Sequence, residues 1–205
     1  MSEFDFKITR DGALAHVDLN RPEEGNALTR AMMLRFAQVL REIGADSKVH
    51  VVTVGGRGGQ FCRGRDGKGE SRAGMTPYDV RVKMMGAVLD SYQAIRDVPV
   101  PVVALVHGDA LGFGAALGKV HAKALTYLIY SAESLDAAAA VAAGLASKML
   151  PQATFATDAN AFLTTLAGRP RLVLETIKRY QAMAAHVTPD MASEYAGTLL
   201  ALVRS

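Results

Sequence analysis

The sequence predicts an α/β core carrying a helical C-terminal appendage. Strand-like and helix-like apolar runs alternate through the first half of the chain, and the apolar period turns helical beyond residue 123. A chain of 205 residues, 50% hydrophobic and 21% charged, is long enough to bury one substantial core and too short to need several.

Each element has its own local reason. Residues 6–8 and 14–19 flank Asp11-Gly12, a dipeptide suited to a tight turn, which predicts an opening β-hairpin ended by Arg21-Pro22. Thr29 is a plausible N-cap. Met32, Met33, Phe36, Val39, Leu40 and Ile43 follow at helical spacing, with Gly44 expected to stop the helix. Residues 49–54 read as a buried strand running into a loose loop at Gly55-Gly56-Arg57-Gly58-Gly59. A second loop over 63–75 gives way at Thr76-Pro77 to a long helix whose buried stripe is expected at Val80, Met84, Val88, Tyr92 and Ile95. Residues 100–106 predict another strand, 108–118 a small-residue turn entering a helix, 146–150 a short strand, and 170–186 and 189–204 two helices, the second capped by Thr188. The expected division is a core over 1–157 and a helical oligomerisation region over 158–205.

Composition excludes several classes of function. The net charge of +3 is interspersed rather than clustered, so no phosphate-backbone footprint is present and nucleic acid is not an expected partner. Cys62 is the single cysteine, which rules out an intrachain disulfide and a multi-cysteine metal site. The opening residues are acidic where a secretory leader needs a basic start, and no run reaches the ~20 apolar residues of a membrane span, so a cytoplasmic protein is expected.

Two stretches carry a resemblance. Gln60-Phe61-Cys62-Arg63-Gly64-Arg65-Asp66 follows the first buried strand, and Val106-His107-Gly108-Asp109-Ala110-Leu111-Gly112-Phe113-Gly114-Ala115-Ala116 follows the second. They resemble the two oxyanion-hole segments of the enoyl-CoA hydratase/isomerase (crotonase) family. Three further stretches agree in order: Asp18-Leu19-Asn20-Arg21-Pro22 with Asn26-Ala27-Leu28, Lys123-Ala124-Leu125 with residues 134–151, and residues 167–178.

The resemblance implies a spiral of ββα units, an acyl-CoA substrate, no cofactor beyond the coenzyme A of that substrate, and assembly into trimers or hexamers. It also implies that the main-chain N–H groups of Arg65 and Phe113 bind the thioester oxygen. Cys62, Gly64, Asp66, Gly112 and Gly114 are then expected to shape the substrate site. Asp109, a carboxylate within the second turn that is not a typical family residue there, is a further catalytic candidate read from its position. Backbone donors converging in a dry site stabilise enolate charge without reorganising, whatever side chains they carry.

The chain departs from the family where hydratases carry two glutamates. The first position matches Ala116, which has no proton to move. The second has no counterpart, because Ala116-Leu117 leads almost directly to Lys119, where the family has several dozen more residues. Either the natural chain has lost that stretch or the sequence as read omits it. Since losing an internal piece of a layered core exposes apolar surface, omission is the expectation. A non-catalytic acyl-CoA-binding relative is therefore the alternative to an enzyme. Near-matches to a P-loop over 112–119 and to a nucleophile elbow at Gly69-Glu70-Ser71-Arg72-Ala73 each lack a required element, and the five histidines show no metal-ligand spacing.

Overall fold

The computed structural model describes residues 5–68, 73–112, 130–131, 133–184 and 186–204. Strands β1 (Phe6–Asp11) and β2 (Leu14–Leu19) form the expected antiparallel hairpin. β3 (Val51–Gly56) and β4 (Val102–Ala104) then add in parallel, giving the order β1-β2-β3-β4. Between the parallel strands run α1 (Arg30–Ala45) and a helical rod made of α2 (Pro77–Asp79), a π-helical stretch (Val80–Met85) and α3 (Gly86–Asp97).

Strand alternation divides the sheet into two faces. Ala15, Val17 and Leu19 of β2, with Val52 and Val54 of β3, pack against Met33, Phe36 and Leu40 of α1 to form the main core. Leu14 and Val51 point the other way, onto Leu163 and Leu174. The first cluster fixes α1: Thr29 caps it by accepting from Met32 N–H at 3.2 Å, and all six expected apolar residues are buried. Gly44 does not stop this helix, which runs to Ala45. Gly44 instead lies against Pro99 and Val98, where a side chain would crowd the packing.

Three other expectations change. Gly55 and Gly56 belong to β3 rather than to a loop, because the strand passes so close to Asp18 and Phe61 that side chains have no room there. The long helix starts as expected, with a capping box between Thr76 and Asp79. Of its expected stripe, Val88 is buried, Tyr92 and Ile95 pack against the main core and Val80 is half-buried, while the Met84 side chain lies outside those described; Ala87, Ser91 and Ala94 are buried beside them. Residues 146–150 form no strand, having no ladder partner among the described residues, and β4 keeps only the three residues that pair with β3.

The C-terminal half supplies α4 (Ala137–Ala142), α5 (Phe155–Ala167), α6 (Arg171–Ala184) and α7 (Pro189–Arg204). Polar pins fasten α6 to the sheet layer. The Arg171 guanidinium donates to the carbonyl of Gly44, in the last turn of α1 where helix carbonyls lack partners, and to those of Asp46 and Val49 in the loop beyond it. Lys178 Nζ donates to Ile95 O at 2.9 Å and Val100 O at 2.8 Å. His50 Nδ1 donates to Ala167 O at 2.9 Å. Among the described residues no helix is long and apolar enough to cross a membrane.

Candidate functional site

The first candidate turn leaves β3 and runs beside the stretch that follows β2. Arg63 N–H donates to Gly25 O (2.9 Å), Leu28 N–H to Gly64 O (2.9 Å) and Asp66 N–H to Leu28 O (2.8 Å). The last two bonds make a parallel bridge between Leu28 and Arg65. In such a bridge Leu28 uses both of its own backbone groups, and the N–H of the opposite residue, Arg65, lies on the far edge of its strand.

That far edge is the one met by the second turn. Phe61 and Cys62 N–H both donate to Asp109 O at 3.1 Å, and Leu111 N–H donates to Cys62 O at 2.9 Å, which bridges Cys62 to Ala110. Gly108, at φ +70°, comes so near the Gly59 carbonyl that no side chain fits. His107 Nε2 donates to Gly58 O at 2.9 Å, so the second turn is tied at both ends. The structure thus brings Gly64 and Gly112 side by side: a Cβ on Gly112 would lie 3.9 Å from Gly64 Cα. Phe113, Gly114, Ala116 and Leu117 lie outside the described residues.

The side chains at the first turn divide into packing and charge. Cys62 is 1% exposed; its Sγ–H donates to Asn26 O at 3.3 Å. Burial pushes its thiol pKa up, against a smaller lowering by the Gly64 N–H, so the neighbouring Arg63 and Arg65 do not activate it. Asp66 accepts from Lys68 N–H at 3.0 Å, and Arg21 Nη1 stands 3.4 Å from its carboxylate. The Lys68 N–H, with Arg21 adding to it, holds that carboxyl below the usual range. Asp109 is exposed, and its described contacts are those of its carbonyl. No group of three or more histidine, cysteine or carboxylate side chains among the described residues could hold a metal ion.

Two residues of the stretch that opens the resemblance turn out to have structural roles that their sequence does not show. Asn26 is fully buried at φ +55°, and Arg21 reaches Ala27 O at 2.8 Å as well as Asp66. The Gly25-Asn26 pair was an available signal, since both residues tolerate left-handed backbone. A cleft of about 490 Å³ lined by Lys148, Met149, Leu150, Pro151, Asp158 and Phe162, among others, shares no residue with the two turns.

A family model described as enoyl-CoA hydratase/isomerase matches residues 9–122. The chain is 30% identical over 110 residues to the probable enoyl-CoA hydratase echA6 of Mycobacterium tuberculosis, covering 54% of this chain and 42% of that protein. It is 31% identical over 166 residues to the probable enoyl-CoA hydratase echA12 of Mycobacterium leprae, covering 76% and 54%. The chain thus spans about half the length of the curated relatives it matches. Its fold matches the crystal structure of an enoyl-CoA hydratase from Mycobacterium smegmatis at a TM-score of 0.88 and 23% identity, over 97% of this chain and 90% of that one. A Bacillus anthracis enoyl-CoA hydratase matches at 0.85 and 19% identity, over 98% and 92%.

Proposed function

Because this chain belongs to the enoyl-CoA hydratase/isomerase family, we propose that it binds an acyl-CoA thioester with the carbonyl oxygen between the main-chain N–H groups of Arg65 and Phe113. The observation that carries this reading is the bridge at Leu28, which turns the Arg65 N–H away from Leu28 and towards the edge where Gly112 meets Gly64. Two such donors stabilise the charge that a thioester oxygen gains as an enolate forms, and neither has to reorganise to do so. Glycines 64 and 112 keep the walls thin enough for that approach. Coenzyme A enters as part of the substrate.

Proton transfer is the weaker half of the reading. Asp66 is ionised and engaged by Lys68 and Arg21, a poor state from which to act as a general acid. Ala116 stands where the family's hydratases carry a glutamate. These two observations favour a second reading, in which the chain binds acyl-CoA without turning it over.

Replacing Ala116 with glutamate tests both. If the donors are in place and only the acid/base is missing, Ala116→Glu hydrates a short enoyl-CoA on the order of 10²- to 10⁴-fold faster than the parent chain. Efficient hydration by the parent would show that another residue moves the proton. Absence of acyl-CoA binding by titration calorimetry would overturn the reading altogether.

A further inference from the structure

We propose that Asn26 is a positioning residue for the thioester site, setting where the Arg65 N–H stands; the proposal rests on the reading of that site given above. Asn26 is 0% exposed and holds φ +55°, a left-handed backbone that glycine would adopt with less strain. What asparagine adds is therefore its side chain, and every polar atom of that side chain is used. Its Oδ1 accepts from Arg21 N–H at 3.0 Å, while Nδ2 donates to Arg57 O at 2.8 Å and to Gln60 O at 2.7 Å. Gly56 leaves the space for this amide, since a Cβ there would lie 2.9 Å from Nδ2.

These bonds converge on one element. The carbonyls of Arg57 and Gln60 belong to the turn that launches the first donor segment, and the Asn26 carbonyl takes the Cys62 Sγ–H two residues further on. On its other side, Asn26 fixes the backbone of Arg21, whose guanidinium reaches Asp66, the residue after Arg65. The donor residue is thus bracketed before and after by groups that depend on one buried amide. Hydrogen bonds weaken steeply with misalignment, and one well-placed donor of this kind is worth roughly 10²- to 10³-fold in rate. Slack in the turn should accordingly weaken polarisation of the thioester carbonyl more than it weakens binding of the coenzyme A part.

The test uses a chromophoric aromatic enoyl-CoA, whose absorption moves to longer wavelength when its carbonyl is polarised, with Asn26→Gly and Asn26→Asp studied beside the parent. Glycine keeps the backbone and removes the strut. Aspartate keeps the shape and the acceptor and loses both donated bonds. Expected are dissociation constants within about threefold of the parent, unfolding midpoints still well above the assay temperature, and loss of most of the absorption shift. A full shift in either folded variant overturns the proposal alone. Two variants that do not fold also count against it, since Asn26 would then be a folding residue. No shift in the parent overturns the reading of the site and the proposal with it.

Discussion

Cys62 shows how a side chain's surroundings decide its chemistry against its sequence neighbours. Arg63 and Arg65 follow it closely, yet its sulfur is buried in the core and that burial raises its pKa. The thiolate is the reactive form, and each unit of raised pKa removes a factor of ten of it. Alkylation by iodoacetamide at neutral pH should therefore be markedly slower in the folded protein than for a free cysteine, and should reach the free rate in denaturant. Prompt labelling under native conditions would mean that the turn opens far more readily than its bonds to Asp109 and Gly25 imply. The same contrast explains what could be read at this scale beforehand. Gly64 and Gly112 were legible because a glycine at a strand end has a local reason to be there. Asn26 was legible only as part of a family stretch and not for its role, because its three side-chain partners lie 5, 31 and 34 residues away and only the folded chain assembles them.

Helices with a local signal were read to within a residue or two, whereas features set by packing or pairing alongside were not. α1 carries its cap, its apolar period and its length within its own residues. The π stretch at Val80–Met85 and the missing strand at 146–150 are set by what packs or pairs alongside them, which a period cannot reveal. α6 was read from its own period, but its attachment depends on other elements, and one of its pins is testable through pH. Burial holds Lys178 at about 8, below its ordinary 10.5, with Asp97 pulling it back up. A pKa lower in the folded than in the unfolded chain means that the folded state binds fewer protons between those two values. Stability from this group is thus fully present above about 10.5, falls as pH drops through about 8, and is flat below that. Cys62 and Tyr92, both raised by burial, work in the opposite direction at alkaline pH, so the informative quantity is a difference between proteins. Urea midpoints measured from pH 7 to 10 should rise more steeply for the parent than for Lys178→Met. Parallel curves would show that burial does not depress this amine in the folded chain, and so overturn the pH dependence argued for it.

At the scale of the whole molecule the question is what the outer faces of the C-terminal helices cover. Their inner faces are accounted for: Leu163 and Leu174 are buried against Leu14 and Val51, and Arg171 and Lys178 fasten α6 to the layer beneath. Their outer faces are not, since Phe162 is 48% exposed, Leu172 55%, Ile177 51%, Met191 56% and Leu200 58%. Single exposed apolar residues are ordinary on a protein surface, but five large ones along three consecutive helices favour burial against another surface. Resemblance to the family implies that this surface is another copy of the chain, packed in a threefold arrangement. We therefore expect light scattering coupled to size exclusion, at micromolar concentration, to give a mass about three times 21.8 kDa. Replacing Leu172 and Ile177 with lysine should shift that mass towards one chain while leaving the helical circular dichroism intact, because neither side chain belongs to the buried clusters. A parent that remains at 21.8 kDa at every concentration would mean that these faces stay in water, and the helical region would then be an appendage of its own core rather than an assembly surface.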